Sequence, residues 1–150
     1  MLIPTKQIAQ ELENYLKKEF KKIKSKKITL VDILVGNNDQ QLSFVKIKAR
    51  TAKKLGVKFD FYHIKKIPSF QEFMIKIKQK TANINNRGII IQQPLPSQLN
   101  TNSLYEYIPI YQEIEGHRKK TPFLPPLGLA CLLYTSDAAD DLLCVDLGGR

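Results

Sequence analysis

Apolar residues follow two spacings along most of the chain, one typical of helices and the other of buried strands. Helical spacing predicts helices over residues 6–24, 40–55, 70–82 and 102–107. Short apolar runs predict strands over residues 28–35, 57–64 and 88–91. Because strands alternate with helices, we expect an α/β fold of three layers, α/β/α, with a mainly parallel sheet between helices on both faces.

Several single residues refine this prediction. Thr5 and Ser69 are candidate N-caps of the first and third helices, and Gly56 is placed to end the second. In the third helix, we expect Phe73, Ile75 and Ile77 to be partly buried. In the first strand the apolar run is interrupted by Thr29 and Asp32.

The length and the charge of the chain limit the classes of protein to which it can belong. The 150 residues suffice for one sizeable core, and no apolar run is long enough to span a membrane. The N-terminus lacks a signal-peptide pattern, so we expect a soluble cytoplasmic domain. The formal net charge is +10, with many lysines between Lys17 and Lys27. A solvated helix face explains this run better than nucleic-acid binding, because neither an aromatic platform nor a zinc motif accompanies it.

The last twenty residues differ from the rest. Residues 131–150 contain four aspartates and one arginine but no lysine, and they hold both cysteines, Cys131 and Cys144, at a spacing that matches no metal or redox motif. Residues 131–141 resemble the translation of a sequencing adapter, a transposase mosaic end with its primer extension. We therefore expect a domain over 1–130 and a non-native tail over 131–150; the alternative is a genuine acidic tail.

Two short motifs carry candidate chemistry. Phe44 and Lys48 are four residues apart, so on a helix an aromatic ring and an amine share one face. The ring could stack on a flat ligand while the amine handles protons; the alternative is a core contact beside a solvated charge. The second motif, residues 88–96, is an apolar strand that enters a polar, proline-rich turn. In parallel sheets ligands bind beyond the carboxyl ends of the strands, where both motifs would converge.

Together these motifs resemble the methylenetetrahydrofolate dehydrogenase/cyclohydrolase family. Its pattern is a strand ending in Val-Gly, a tyrosine eight residues later in Tyr-x-x-x-Lys-x-Lys, a glycine eight residues after the first lysine, and later Gly-Ile-Leu-Val-Gln-Leu-Pro-Leu-Pro. The matching positions in this chain are Val35-Gly36, Phe44, Lys48, Arg50, Gly56 and residues 88–96. The resemblance covers roughly residues 1–130, the family's first, substrate-binding domain.

The resemblance implies an activity on folates. The family oxidises 5,10-methylenetetrahydrofolate to the methenyl cation with NADP as hydride acceptor, and then hydrolyses that cation to 10-formyltetrahydrofolate. It implies that Phe44 stacks along the folate and that Lys48 is the catalytic lysine. An ordinary lysine is a poor base at pH 7, because its amine is nearly all protonated. Burial beside a cationic substrate would lower the pKa of this lysine toward the working pH. Gln92 matches the family glutamine that holds the lysine and the substrate.

Further substrate contacts are implied with some departures from the family. Ile91 and Gln93 match substrate-binding positions, although Gln93 replaces a leucine. Glu115, in Glu-Ile-Glu-Gly, stands where a shorter aspartate clasps the amino and N–H edge of the pterin ring. Phe44 replaces a tyrosine, which keeps the ring face but loses the phenol. His63 and His117 match no partner motif and are expected to be ordinary surface or turn residues.

The family's NADP-binding half is not recognisable in this chain. Residues 125–128 resemble the start of the helix that leads to that half, but no Gly-x-Gly-x-x-Gly follows. We therefore expect a fragment of a bifunctional enzyme that is inactive as a dehydrogenase alone and whose parent is a homodimer. A non-catalytic folate-binding remnant and a basic α/β module that binds nucleic acid are the alternatives.

Overall fold

A computed structural model describes residues 4–23, 28–101 and 103–140; for residue 134 and residues 136–140 it describes the backbone. Seven α-helices and β-strands and one short 3-10 helix follow one another along the chain. They are α1 (Thr5–Lys22), β1 (Thr29–Val35), α2 (Asp39–Lys54), β2 (Lys58–Ile64), α3 (Phe70–Thr81), β3 (Asn86–Ile91), the 3-10 helix (Leu104–Tyr107) and α4 (Pro126–Asp140).

The three described strands form one parallel sheet in the order β2-β1-β3, which confirms the predicted α/β fold. The strand that comes first in the chain is therefore the central one. On the far side of β3, Ile89 forms an isolated parallel bridge with Glu113. Because all three strands run in the same direction, their carboxyl ends lie at one edge of the sheet. The segment around residue 113 runs parallel to β3 toward the same edge.

The predicted helices and strands are found within two or three residues of their expected bounds, but the caps are only partly right. Ser69 caps α3 in a capping box with Glu72, as predicted. Thr5 is not the N-cap of α1; it is the first helical residue, and Pro4 precedes it without any side-chain cap. The predicted helix over 102–107 is a single 3-10 turn, and residue 102 lies outside the described residues.

One face of the sheet is covered by α3 and the 3-10 helix. Alternate strand residues point to this face and form one apolar cluster with Phe73, Met74 and Ile77 of α3. The prediction for Ile75 is wrong: it is 57% exposed, and Met74 is buried in its place. On a helix, position 74 is three residues from Ile77 and shares its face, whereas position 75 points outward.

The other face carries α2, which buries Val45 and Ala52. Here β3 has Gly88, where an added Cβ would lie 2.7 Å from Cδ1 of Ile114 and 2.9 Å from Cδ1 of Leu30. The glycine therefore allows the segment after Glu113 to approach the sheet closely. In the middle of this face β1 places Asp32, which is fully buried.

The two terminal helices add little to the core. α1 buries no residue completely, and α4 leaves Leu127 and Leu129 exposed. α4 begins at Pro126, within the motif expected to start a helix, and continues past residue 130, so the origin of residues 131–150 stays a prediction. Cys131 is exposed; Cys144 and the lysines at 24, 26 and 27 lie outside the described residues. In the described part of the chain, no helix is long and apolar enough to cross a membrane.

Candidate functional site

α2 carries Phe44 and Lys48 one helical turn apart on one face. The helix begins after Asn38, whose side chain accepts a hydrogen bond from the backbone N–H of Gln41, and Val45 packs inward. Phe44 is 60% exposed, so the alternative in which it is a core contact is wrong. The Lys48 side chain, one turn further along, is one-third exposed. A large exposed aromatic ring beside a partly buried amine is an arrangement that core packing does not explain.

Gln92, which follows β3, is held by a buried carboxylate. Its Nε2 donates to both oxygens of Asp32, at 2.8 and 2.7 Å. Because only the amide nitrogen can donate to a carboxylate, these bonds fix the orientation of the amide and turn its carbonyl oxygen away from Asp32. The resemblance implied that Gln92 holds the lysine; the hydrogen bonds that its amide nitrogen makes are to Asp32, an acid that the motif does not contain.

Asp32 is a site residue that the sequence analysis did not identify. Burial raises its pKa, while the hydrogen bonds from Gln92 and the positive charge of Lys48 act in the opposite direction. The signal was present in the sequence, since an aspartate within a strand of Ile, Leu and Val is rarely buried without a partner. Without knowledge of strand order, however, nothing indicated that the partner would be Gln92.

Glu115 is positioned by the turn that surrounds it. The buried side chain of Glu113 accepts backbone N–H bonds from Glu115 at 2.9 Å, from His117 at 3.1 Å and from Arg118 at 3.4 Å. Gly116 has φ +76°, and an added Cβ there would lie 2.9 Å from the backbone nitrogen of Pro125. Residues 113–118 are thus wound around one carboxylate, and Glu115 is directed back toward the sheet.

The Glu115 carboxyl group lies between α2 and β3. Its Oε1 is 3.8 Å from Nζ of Lys48, and its Oε2 accepts the backbone N–H of Ile91 at 3.2 Å. Burial raises the pKa of Glu115 to about 7, with the charge of Lys48 and the Ile91 N–H opposing that rise and Asp32 and Glu113 adding to it. At neutral pH this carboxyl group is therefore divided between its ionised and neutral forms.

The turn after β3 is tied to the surrounding segments. Gln93 donates through Nε2 to the hydroxyl of Tyr105 at 2.5 Å and accepts the backbone N–H of Leu95 at 3.1 Å. The Gln93–Pro94 peptide bond is cis, and its Pro94 carbonyl accepts a bond at 2.9 Å from Nε2 of the buried Gln41. The turn is thereby fixed against both α2 and the 3-10 helix.

The predicted site residues are thus brought partly together. Lys48, Glu115 and the backbone of Ile91 meet directly, Gln92 lies behind them on Asp32, and Phe44 lies one helical turn away. The Ile91 side chain is buried in the core on the opposite face, so only its backbone reaches this site.

The described residues do not fit a bound metal or dinucleotide. They contain no group of three or more His, Cys, Asp or Glu that could hold a metal ion. A dinucleotide needs free backbone N–H groups at a glycine-rich helix N-terminus. In α2 and α3 the side chains of Asn38 and Ser69 each accept one of these N–H groups, and no helix among the described residues follows a Gly-x-Gly-x-x-Gly turn.

The chain is similar in sequence to bifunctional proteins of known name. The chain is 29% identical to "Bifunctional protein FolD" of Staphylococcus carnosus, an alignment that covers 99% of this chain and 54% of that protein. It is 31% identical to the protein of the same name from Bacillus pumilus, over 91% of this chain and 46% of that protein. The chain thus spans about half the length of the curated relatives it matches.

Solved structures give the same result. The bifunctional enzyme FolD, methylenetetrahydrofolate dehydrogenase/cyclohydrolase, from Campylobacter jejuni superposes with a TM-score of 0.79 at 27% identity, over 91% of this chain and 54% of that one. The bifunctional enzyme from Thermoplasma acidophilum, at 19% identity, shares the fold with a TM-score of 0.82, over 93% of this chain and 53% of that one. The family model "Tetrahydrofolate dehydrogenase/cyclohydrolase, catalytic domain" matches residues 3–115, and the chain belongs to this family.

Proposed function

We propose that this chain is the folate-binding part of a bifunctional enzyme that oxidises 5,10-methylenetetrahydrofolate and hydrolyses the resulting methenyl cation to 10-formyltetrahydrofolate. One observation carries the proposal: Nζ of Lys48 lies 3.8 Å from Glu115 at the carboxyl edge of the sheet, one helical turn from the exposed ring of Phe44. An acceptor for a pterin edge, an amine and a stacking surface are therefore neighbours.

In this proposal Glu115 and Phe44 bind the substrate. The ionised carboxylate accepts two hydrogen bonds from the amino group and the adjacent ring N–H of the pterin, a pairing for which a bidentate acceptor is suited. Phe44 offers a ring face on which the flat part of the folate stacks. The fixed turn at Gln93 forms the neighbouring wall, because its amide is already engaged with Tyr105 and Leu95.

Lys48 and Gln92 serve the proton transfers of the hydrolysis. Water adds to the methenyl carbon and passes a proton to the Lys48 amine, which must first have given up its own proton. The hydroxyl group of the adduct then loses its proton as the carbon–N5 bond breaks, and N5 gains a proton, which leaves the formyl group on N10. The carbonyl oxygen of Gln92, turned away from Asp32, is available to orient this water or the amine. Positioning of this kind removes much of the entropic part of the barrier.

NADP would supply the hydride acceptor for the oxidation step, and the described residues contain no glycine-rich turn at a helix N-terminus that would hold it. We therefore expect no dehydrogenase activity from residues 1–150 alone, and only weak hydrolysis, since the other wall of the cleft would come from the rest of the parent enzyme. For that parent we propose a cytoplasmic homodimer.

Calorimetric titration with folic acid tests the binding role. The chain should bind folic acid, Phe44→Ala should bind more weakly by on the order of 1 kcal/mol, and Phe44→Tyr should bind as the parent does. Ile47→Ala, an exposed apolar neighbour on the same helix, is the matched control and should have no effect. A failure to bind folic acid, with tight and salt-sensitive binding of an oligonucleotide, would instead favour the nucleic-acid module.

Hydrolysis of methenyltetrahydrofolate tests the catalytic role, measured with residues 1–130 joined to the NADP-binding half of a related enzyme. Lys48→Ala should abolish the activity, whereas Lys46→Ala, two residues away and exposed, should retain it. Near-full activity of Lys48→Ala would refute the assignment. Folate binding without any hydrolysis by the joined protein would favour the non-catalytic remnant.

A further inference from the structure

Glu115 is the group whose charge decides whether the pterin edge can be recognised. A neutral carboxylic acid has lost one of its two acceptor sites for N–H donors, so it cannot form the bidentate contact. The Glu115 side chain is only 19% exposed, and the nearby acids Asp32 and Glu113 also disfavour its ionisation. The site therefore needs positive charge around this carboxylate.

Two basic side chains approach Glu115, one at each oxygen. Lys48 faces Oε1 at 3.8 Å, and Nε2 of His117 faces Oε2 at 4.0 Å. The neighbouring Arg118 is turned away, with Nη1 on the carbonyl of Ile108 at 2.7 Å and Nη2 on Glu106. His117 is thus the only group besides Lys48, among the residues described, that can bring a positive charge within ion-pair distance of Glu115.

The His117 ring is held in this place by the same segments that build the site. Its backbone N–H donates to Glu113, and its ring packs on the ring of Tyr105 with centroids 4.6 Å apart. The Tyr105 hydroxyl in turn accepts from Gln93. On its outer side His117 borders a cavity of about 340 Å³ together with Lys119, so the imidazole keeps access to solvent protons.

We propose that His117 is a substrate-positioning residue: in its protonated form it keeps Glu115 ionised, and thereby extends pterin recognition to mildly acidic pH. This proposal rests on the proposed role of Glu115 in binding folate. The titratable and charged groups around the pair are Lys48 from α2, Asp32 from β1, Tyr105 from the 3-10 helix, and Glu113 and Lys119 from the surrounding loop. None of these surrounding groups ordinarily changes its charge between about pH 6 and 8, whereas an imidazole does.

The pH dependence of folic-acid binding distinguishes this role from packing. In the 150-residue chain, His117→Gln should weaken binding by about two- to fivefold at pH 6 to 7, a range set by the strength of a half-exposed ion pair. The deficit should vanish above about pH 8.5, where Glu115 is ionised in both proteins and an imidazole ordinarily carries no charge. A deficit that is equal at all pH values would assign His117 a packing role against Tyr105 and overturn the proposal, as would the absence of any deficit.

A second measurement does not depend on ligand. Carboxyl-carbon NMR of chain labelled at glutamate should show the pKa of Glu115 rising in His117→Gln, with the signal identified by its loss in Glu115→Gln. Lys58→Gln, at the opposite end of the sheet, controls for net charge and should leave the pKa of Glu115 unchanged. An unchanged pKa in His117→Gln would overturn the coupling. If this pKa rises but the parent chain does not bind folic acid, the coupling stands and the proposed folate function fails.

Discussion

The two faces of the sheet differ in the residues that they bury. On the α3 face, alternate residues of β1 and β3 join Phe73, Met74 and Ile77 in one apolar cluster. On the α2 face, the middle of the sheet instead holds Asp32 and Gln92, bonded to one another and buried. α2 also leaves Phe44 and Ile47 exposed, although both are large and apolar.

The difference lies in what each face contributes to stability. Apolar burial supplies most of the free energy of folding, whereas a buried carboxylate costs free energy even when it is paired. The α3 face is therefore stabilised by apolar contacts, whereas the α2 face combines the buried Val45 and Ala52 with a buried polar pair. Substitutions on the two faces should accordingly differ in what they change.

The largest expected difference in stability is between alanine substitutions of two isoleucines, one on α3 and one on α2. Ile77→Ala on α3 removes a fully buried side chain from the cluster and should lower the free energy of unfolding by about 2–5 kcal/mol. Ile47→Ala on α2, which is 55% exposed, should change it by no more than about 0.5 kcal/mol. Urea denaturation of both variants measures the difference. Equal losses would show that the two faces are not divided in this way.

The pH dependence of stability tests the polar residues next to α2, in particular Glu115. Because the pKa of Glu115 is raised to about 7 in the folded chain, the folded state holds this proton more tightly than the unfolded state does. The resulting stabilisation is complete below the ordinary glutamate pKa and is lost as the pH rises through about 7. The loss should be on the order of 1–3 kcal/mol.

Glu115→Gln should remove that part of the pH dependence, as measured by urea denaturation between pH 4.5 and 8. Glu11→Gln, an exposed position on α1, is the control and should follow the parent chain. If the parent and Glu115→Gln show parallel curves, the raised pKa of Glu115 is contradicted.

A smaller effect is expected from the polar pair itself. Gln92→Leu deprives Asp32 of both of its amide hydrogen bonds and should cost about 1–3 kcal/mol near neutral pH. The loss also raises the pKa of Asp32 further, so the cost should shrink in acid, where Asp32 becomes neutral. Thermal unfolding at several pH values measures this; Gln40→Leu, exposed on α2, is the control. A cost that grows in acid would contradict the assigned charge of Asp32.

The smallest effect should be the same on both faces. Asn38→Ala and Ser69→Ala each remove an N-cap bond, to Gln41 and Glu72 respectively, and each should cost about 1 kcal/mol. An N-cap bond acts within its own helix, so the two substitutions should lower the free energy of unfolding by similar amounts whichever face of the sheet the helix packs on. A much larger cost for one cap would mean that it also supports contacts beyond its own helix.

Local patterns were sufficient for most of the fold, because apolar spacing and caps such as Ser69 depend on neighbouring residues. Ile75 was misplaced because three apolar residues at alternate positions fit neither helical face completely. Helical spacing alone placed Phe44 and Lys48 on one face, whereas Gln92 and Glu115 became candidates only through the family motifs. Asp32 was missed because its partner is distant in sequence, and strand order cannot be obtained from spacing alone.

The placement of β1 has a consequence for how the chain assembles. This strand lies at the centre of the sheet, yet the partner of its buried acid, Gln92, is sixty residues later in the chain. A nascent chain that has paired only β1 with β2 would have to bury Asp32 without its amide, which is unfavourable, or leave the strand exposed to water. We therefore expect partial sheets to be poorly populated, and the domain to become ordered only after β3 has been synthesised and docked.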